Sequence, residues 1–281
     1  MRSTTEILLC LMLMLGVVLP VQAADSNPPF ELQGEVVQGG LLIGRAPLDV
    51  EVMLDGVPVL RSSDGYFLIG FSKDDTQAVE LGATQSGQRW TQTLQPAGRT
   101  FNVQRIDGLP PAQVSPSEAS MDRIRSEAAM TQSARERRDD RSDFSRGFIW
   151  PVVGPITGVY GSQRILNGEP RNPHYGIDIA APVGTPVLAP AAGVITLVHE
   201  DMYFSGGTLL LDHGLGLSSA FLHLDTILVE PGQRVEQGEV IAEVGATGRV
   251  TGAHLDWRMN LGSTRVDPEL LVPPMPDIES Q

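Results

Sequence analysis

The sequence holds a single cysteine, Cys10, among 281 residues. That excludes an intrachain disulfide, a Cys₄ zinc site and an iron–sulfur cluster. Lysine is nearly missing as well: of 20 Lys+Arg residues only Lys73 is a lysine, and the rest are arginine. These bases face 34 Asp+Glu, for a formal charge of −14, and they form no basic block, so the chain is a poor nucleic-acid binder. Aromatics reach only 5%, yet the 41% hydrophobic content is that of a globular chain rather than a disordered one. The length suits about two domains, each able to bury its own core.

The longest apolar run, Ile7–Leu19, has 13 residues, short of the roughly 20 that a membrane-spanning helix needs. Arg2 precedes it, and Val21-Gln22-Ala23 supplies the small-x-small pattern of a cleavage site. Residues 1–23 therefore read as a secretory signal peptide, with the new N-terminus near Ala24. An uncleaved membrane anchor is the alternative. A lipoprotein signal at Cys10 is disfavoured by the bulky Leu9 and the apolar residues that follow. Cleavage removes Arg2 and Glu6 together, which leaves the charge at −14. It also removes Cys10, so metal binding in the exported chain has to use His, Asp and Glu. No stable membrane insertion is expected after cleavage.

Residues 28–108 read as an all-β module. Leu48–Leu54 alternates, Asp55-Gly56 turns into Val57–Leu60, and Asp64-Gly65 leads to Tyr66–Phe71. Asp-Gly between short β-rich runs is a strong hairpin signal, so a small β-sandwich is expected. It contains no histidine. Ser115-Pro-Ser-Glu118 reads as a capping box with Pro at the first helical position. The helix it opens carries a thin apolar stripe (Met121, Ile124, Ala128) and runs into the charged stretch Arg135–Arg141, so 112–147 is expected to be a solvated helical linker. From Phe148 onward Gly and Pro punctuate short β runs, including Gly193–Val198, Thr208–Leu211, Leu217–Leu222 and Val240–Val244.

All five histidines (174, 199, 213, 223 and 254) lie in this last region. His174-Tyr-Gly-Ile-Asp178 places a His and an Asp four apart, but Pro173 and Ala181-Pro182 argue against a helix. On a straight strand they would stand about 13 Å apart, so they could share an ion only if the backbone bends, and Gly176 would permit that. His254 and Asp256 alternate around Leu255 and would face the same way on a strand. His223 follows an apolar strand and, taken alone, reads as a core histidine. Together, His174, Asp178, His223, His254 and Asp256 provide ligands enough for a three-ligand zinc site with an open position, plus two imidazoles for proton transfer or oxyanion stabilisation. His213 reads as a structural residue of a turn at a strand end, His199 as a solvated loop residue, and Trp257 and Tyr175 as packing beside the site.

The motifs Tyr160-Gly-Ser-Gln-Arg164, Asn172–Ala180, Gly184-Thr-Pro-Val187, Leu211-Asp-His-Gly214, His223-Leu224 and Gly245–Gly252, in this order, resemble those of the lysostaphin-like (LytM-type) zinc peptidases that cut peptidoglycan peptides. The resemblance covers about residues 148–272. It implies a mainly β chain in which the small N-terminal β-sandwich and the linker helix precede a C-terminal antiparallel β-sheet peptidase domain at 148–275. By position, it implies that His174 and Asp178 are zinc ligands and that His223 and His254 form the catalytic pair. The family usually carries a His in the third-ligand position, where this chain has Asp256. A carboxylate can bind zinc there, but two carboxylates cancel the ion's formal charge, so a weaker Lewis acid with greater tolerance of Mn²⁺ is expected. The implied activity is periplasmic endopeptidase hydrolysis of peptidoglycan cross-links during wall remodelling.

The rival reading is an inactive member of the same fold that binds the wall and activates a peptidoglycan amidase, with an amidase or divisome component as partner. A lipoyl- or biotin-carrier module, suggested by the texture of Val235–Gly245, needs an acceptor lysine in its hairpin. Lys73 lies far from that segment, which excludes the carrier.

Overall fold

The computed structural model describes residues 27–108 and 114–276. The signal-peptide reading of residues 1–23, with Cys10, lies outside the described residues. The described residues are mainly β, with antiparallel sheets and one long helix among them, as the sequence implied.

In the first module, β1 (Glu31–Gln33), β2 (Leu41–Arg45), β3 (Glu51–Leu54), β4 (Val57–Pro58), β5 (Tyr66–Gly70), β6 (Val79–Gln85) and β7 (Gln88–Leu94) form two sheets, ordered β1-β2-β5 and β4-β3-β6-β7. Asp55-Gly56 makes the β3–β4 turn with both residues at positive φ, the conformation that a tight two-residue hairpin requires. Leu42, Val52, Phe67, Ile69, Leu81 and Ala83 close the core between the sheets. Gly44 has to be glycine, because a Cβ there would lie 2.1 Å from the Phe67 ring.

The chain then enters β8 (Val103–Ile106), which pairs in parallel with β10 (Gln163–Leu166) of the second module and so joins the two. The helix α1 spans Glu118–Ala134. It begins two residues later than a Pro116 start implies, with Ser117 at the cap position and no side-chain cap bond. Ser115 is engaged elsewhere, by Arg171 Nη2 at 3.2 Å. The linker is also less solvated than its charge suggested. Glu127 is buried, receiving Arg123 Nε at 2.6 Å and the Tyr203 amide at 2.9 Å. Phe144, in a 3₁₀ turn at Asp143–Arg146, is fully buried in the core of the second module.

The second module contains β9 (Ile156–Gly158), β10, β11 (Glu169–Pro170), β12 (Ile177–Ala180), β13 (Pro186–Leu188), β14 (Gly193–Met202), β15 (Gly206–Gly214), β16 (Leu217–Ile227), β17 (Arg234–Val235), β18 (Val240–Val244), β19 (His254–Leu261) and β20 (Thr264–Val266). Ten of these build one antiparallel sheet with the central order β17-β14-β15-β16-β19-β12-β9. Its core contains Ile177, Ile179, Leu209, Leu211, Phe221 and Trp257. Trp257 meets Trp150 edge to face with centroids 6.2 Å apart, an arrangement that adds to the area burial. The adjacent central strands β16, β19 and β12 carry the residues described next.

Candidate active site

Asp178 on β12 and Asp256 on β19 are direct cross-strand partners. Two like charges opposite one another destabilise a sheet unless cations intervene, so this pairing calls for positive charge. His174 completes the cluster. It stands ahead of β12 on a segment held by the Ser162 carbonyl, which accepts the His174 amide at 2.8 Å, and by the Gly161 amide, which donates to the His174 carbonyl at 2.7 Å. That tether folds the chain back and brings His174 Nε2 to 3.0 Å from Asp178 Oδ1, far inside the straight-strand separation. Gly176 allows the approach: a Cβ there would sit 2.6 Å from Asp256 Oδ1. One donor atom from each of His174, Asp178 and Asp256 lies within 4.8 Å of the others.

His174 Nε2 and Asp178 Oδ1 are close but not aligned for a hydrogen bond, so both ring nitrogens of His174 and Oδ1 of Asp178 are buried without one. Such groups are rare in a folded protein, because each costs about 1–3 kcal/mol when left unmet. One nitrogen and two carboxylate oxygens that converge within 4.8 Å match donors that zinc takes. The residues present therefore fit the ion.

His223 occupies a corner. Up to Leu222 strand β16 pairs with β19, and from Leu224 it pairs with β18. Between these partners His223 adopts a φ of 66°, and the pairing with β15 slips. Bulges of this kind re-aim a side chain out of the ladder. Here the ring is aimed at His254, centroid to centroid 4.9 Å. The loop between β18 and β19 orients both rings: His223 Nδ1 donates to the Thr247 carbonyl and His254 Nδ1 to the Gly252 carbonyl, each at 2.9 Å. A carbonyl only accepts, so Nδ1 carries the hydrogen and each neutral ring keeps Nε2 as a base. His254 Nε2 stands 3.7 Å from Asp178 Oδ1. Burial pushes the His223 imidazole down to about 4, which keeps it neutral at pH 7.

Sequence reasoning missed Arg258. It grips Asp256 bidentately, Nε to Oδ1 at 2.9 Å and Nη2 to Oδ2 at 2.5 Å. Burial opposes ionisation of Asp256, but the charge and hydrogen bonds of Arg258, aided by His174 and His223, hold its carboxyl well below the ordinary range. The signal was present, since His254, Asp256 and Arg258 alternate along one strand face. Arg164 Nη2 stands 3.3 Å from the other carboxylate, at Asp178 Oδ2. Thr247 was also missed as a positioning residue: its hydroxyl donates to the Leu224 carbonyl at 2.8 Å and accepts the Gly207 amide at 2.9 Å, fixing the loop that holds His223.

The other singled-out residues lie apart. His213 is inside β15 rather than in a turn, fully buried, with Nδ1 on the Ala192 carbonyl and Nε2 on Ser219 Oγ, both at 2.8 Å. His199 is in β14, where Nδ1 accepts the Asp201 amide at 3.1 Å. Trp257 is core, and Tyr175 lies beneath Arg265 at 4.0 Å.

Residues 172–268 match the model of peptidase family M23. The peptidoglycan DD-endopeptidase ShyB of Vibrio cholerae is 41% identical over 95 residues, 34% of this chain and 22% of ShyB. The cell division protein DipM of Caulobacter vibrioides is 36% identical over 132 residues, 45% of this chain and 21% of DipM. The matches thus span about a fifth of these two relatives. A putative peptidase M23 from Pseudomonas aeruginosa shares the fold across both modules, with a TM-score of 0.62 at 29% identity, over 84% of this chain and 94% of that one. The stretch that supplies His174, Asp178, His223, His254 and Asp256 is a peptidase family M23 domain.

Proposed function

We propose that this protein is a zinc-dependent endopeptidase that hydrolyses amide bonds in peptidoglycan peptide cross-links, acting in the periplasm after signal cleavage. The observation that carries the reading is the junction of β12, β16 and β19, where the His174/Asp178/Asp256 cluster meets two imidazoles whose Nε2 atoms are both left as bases. His174, Asp178 and Asp256 would hold the zinc ion, which when bound supplies a Lewis acid for the scissile carbonyl and activates the attacking water. One of His223 and His254 would accept the single proton lost by the attacking water at Nε2, donate a hydrogen bond to the oxyanion while protonated, and pass that proton to the leaving nitrogen. The bulge at His223 and the loop carbonyls hold both rings in place before substrate arrives, so little reorganisation remains for the chemical step.

Arg258 changes the charge expected of the site. With two carboxylates alone the ion would be formally neutralised; the half-buried Arg258 guanidinium returns one positive charge to the Asp256 side. The pair Asp256–Arg258 thus carries the net charge of a neutral imidazole, which argues against the weakened Lewis acid that two carboxylates alone would give. The test is metal analysis of the purified full chain with product identification from digested sacculi. One zinc per chain and released cross-link peptides are expected. Asp256→Ala should lose both, and unchanged zinc content with unchanged digestion would remove Asp256 from the ligand set.

The same Asp256–Arg258 pair supports a second reading. A carboxylate already held by arginine is a weaker competitor for an ion, as in an inactive member that binds the wall and activates an amidase or meets a divisome component. Absence of zinc, together with stimulation of a purified amidase, would favour it.

A further inference from the structure

The tether that folds His174 toward Asp178 is itself held by residues outside the stretch 172–268 that matches the family. Gly161, whose amide donates to the His174 carbonyl, lies against the ring of Phe101: a Cβ at Gly161 would stand 2.1 Å from that ring. Phe101 in turn meets Tyr160 edge to face, with centroids 6.2 Å apart. Further along, Gln104 of β8 is the direct cross-strand partner of Arg164 in β10. Gln104 Oε1 accepts Arg164 Nε at 3.3 Å, and Arg164 directs Nη2 at Asp178 Oδ2, also at 3.3 Å.

These contacts set the orientation of two ligand side chains. The Asp178 carboxylate backs onto Gly158, where a Cβ would lie 2.2 Å from Oδ2. With Oδ2 taken by Arg164, Oδ1 is the atom turned toward His174 Nε2 at 3.0 Å and His254 Nε2 at 3.7 Å, and it is the one left without a hydrogen bond. Asp256 differs, since Arg258 occupies both of its oxygens. The aim of Asp178 thus depends on Arg164, and Arg164 depends on β8. On its other side β10 has only the two-residue strand β11, and a two-stranded hairpin alone is marginal in water. β8 supplies the third strand: the Asn102 carbonyl accepts the Gln163 amide at 2.8 Å, and the Ile106 carbonyl accepts the Asn167 amide at 2.9 Å. Just before it, Arg99 donates to the Gln38 carbonyl of the first module at 3.0 Å and to the buried Asp267 Oδ2 of the second at 2.7 Å.

We propose that Phe101 and Gln104 are positioning residues for the metal ligands, acting on His174 through Gly161 and on Asp178 through Arg164. The strand that leaves the first module thereby sets how tightly the second module holds its ion. The proposal rests on the zinc reading of His174, Asp178 and Asp256, and adds to it a dependence on residues outside the ligand set. Groups that orient a ligand without touching the metal are worth roughly 10–100-fold in affinity. The physical reason is that a carboxylate or imidazole free to rotate has to give up that freedom when the ion binds. Here the freedom is removed beforehand, by a strand whose hydrogen bonds are made in folding.

Competition with a chromophoric chelator gives the zinc dissociation constant of the full chain and its variants. Gln104→Leu leaves the charge unchanged but removes the acceptor for Arg164, and should weaken zinc binding roughly tenfold. Gln104→Glu restores an acceptor and should bind at least as tightly as the parent. Phe101→Leu acts on His174 by the separate route and should weaken zinc binding as well, so it carries the test if Gln104→Leu fails to fold. Urea midpoints of the zinc-free proteins separate orientation from stability: a merely structural role would lower the midpoint and leave the folded protein with the parental affinity. Parental zinc affinity in folded Gln104→Leu or Phe101→Leu protein, or a loss in Gln104→Glu equal to that in Gln104→Leu, would overturn the proposal. A parent chain that binds no zinc would sink the zinc reading and this one with it, whereas a zinc-loaded parent with unaffected variants would sink the positioning alone.

Discussion

The two β modules bury different things. In the module of β1–β7 the buried side chains are apolar except for Gln38 and Ser62, and both are met: Gln38 Oε1 accepts the Arg99 amide at 2.9 Å, and Ser62 Oγ accepts the Tyr66 amide at 2.9 Å. The second module sinks His174, Asp178, His213, His223 and Asp256 into its sheet and leaves three of their atoms unmet. Buried ionisable groups oppose folding unless paired. The first module has the interior that a fold requires, and the second has one that only chemistry accounts for.

The comparison breaks most sharply at the imidazole pair. His223→Ala or His254→Ala should cut sacculus digestion by roughly 10²–10⁴-fold while zinc content stays at the parental value; digestion at the parental rate by either variant would remove that residue from the mechanism. The converse change is in the first module. Phe67→Ala, in a wholly buried ring position, should lower stability by about 3–5 kcal/mol, seen as a shift in the urea midpoint, with zinc content unchanged in the folded fraction.

His213 sharpens the contrast through pH. Burial pushes its imidazole down to about 4, so as pH falls the unfolded chain takes up the proton first. Its contribution is complete above about 6.5 and is lost on the way down to 4, a loss of roughly 3 kcal/mol. Urea midpoints of the metal-free protein between these pH values should therefore fall more steeply in the parent than in His213→Gln, and equal slopes would contradict the assignment. The smallest effect is expected at Thr247. Thr247→Val removes two hydrogen bonds beneath the loop that holds His223, worth about 1 kcal/mol, so turnover should fall about fivefold with zinc retained; an unchanged rate would mean that the loop backbone holds His223 unaided.

Much of this was open to reading along the chain. Val240–Val244 is a strand with the bounds its punctuation implied, and period-two alternation places His254, Asp256 and Arg258 on one face of β19. Arg258 was legible by the same rule, although an arginine is not a metal-ligand type and carries no such signal in the sequence. Local spacing failed where distant backbone intervened. The separation of His174 and Asp178 was set by Gly161 and Ser162, and the strand that encloses His213 continues past the residues with obvious β character. Ser115 met Arg171 instead of capping α1.

Composition and local order alone decided that the chain after residue 23 is thiol-free, that a metal site there has to draw on His, Asp and Glu, and that every histidine lies beyond residue 147. Those are properties of residue type and position, which folding cannot alter. Folding decided the charge of the site and the place of the arginines. Asp256 is balanced only because β19 turns Arg258 onto it, and Arg135, Arg164, Arg249 and Arg265 come from four separate segments. Charges so far apart in sequence share one field only after the sheet and helix gather them around one cavity, where they are less screened than on an open surface.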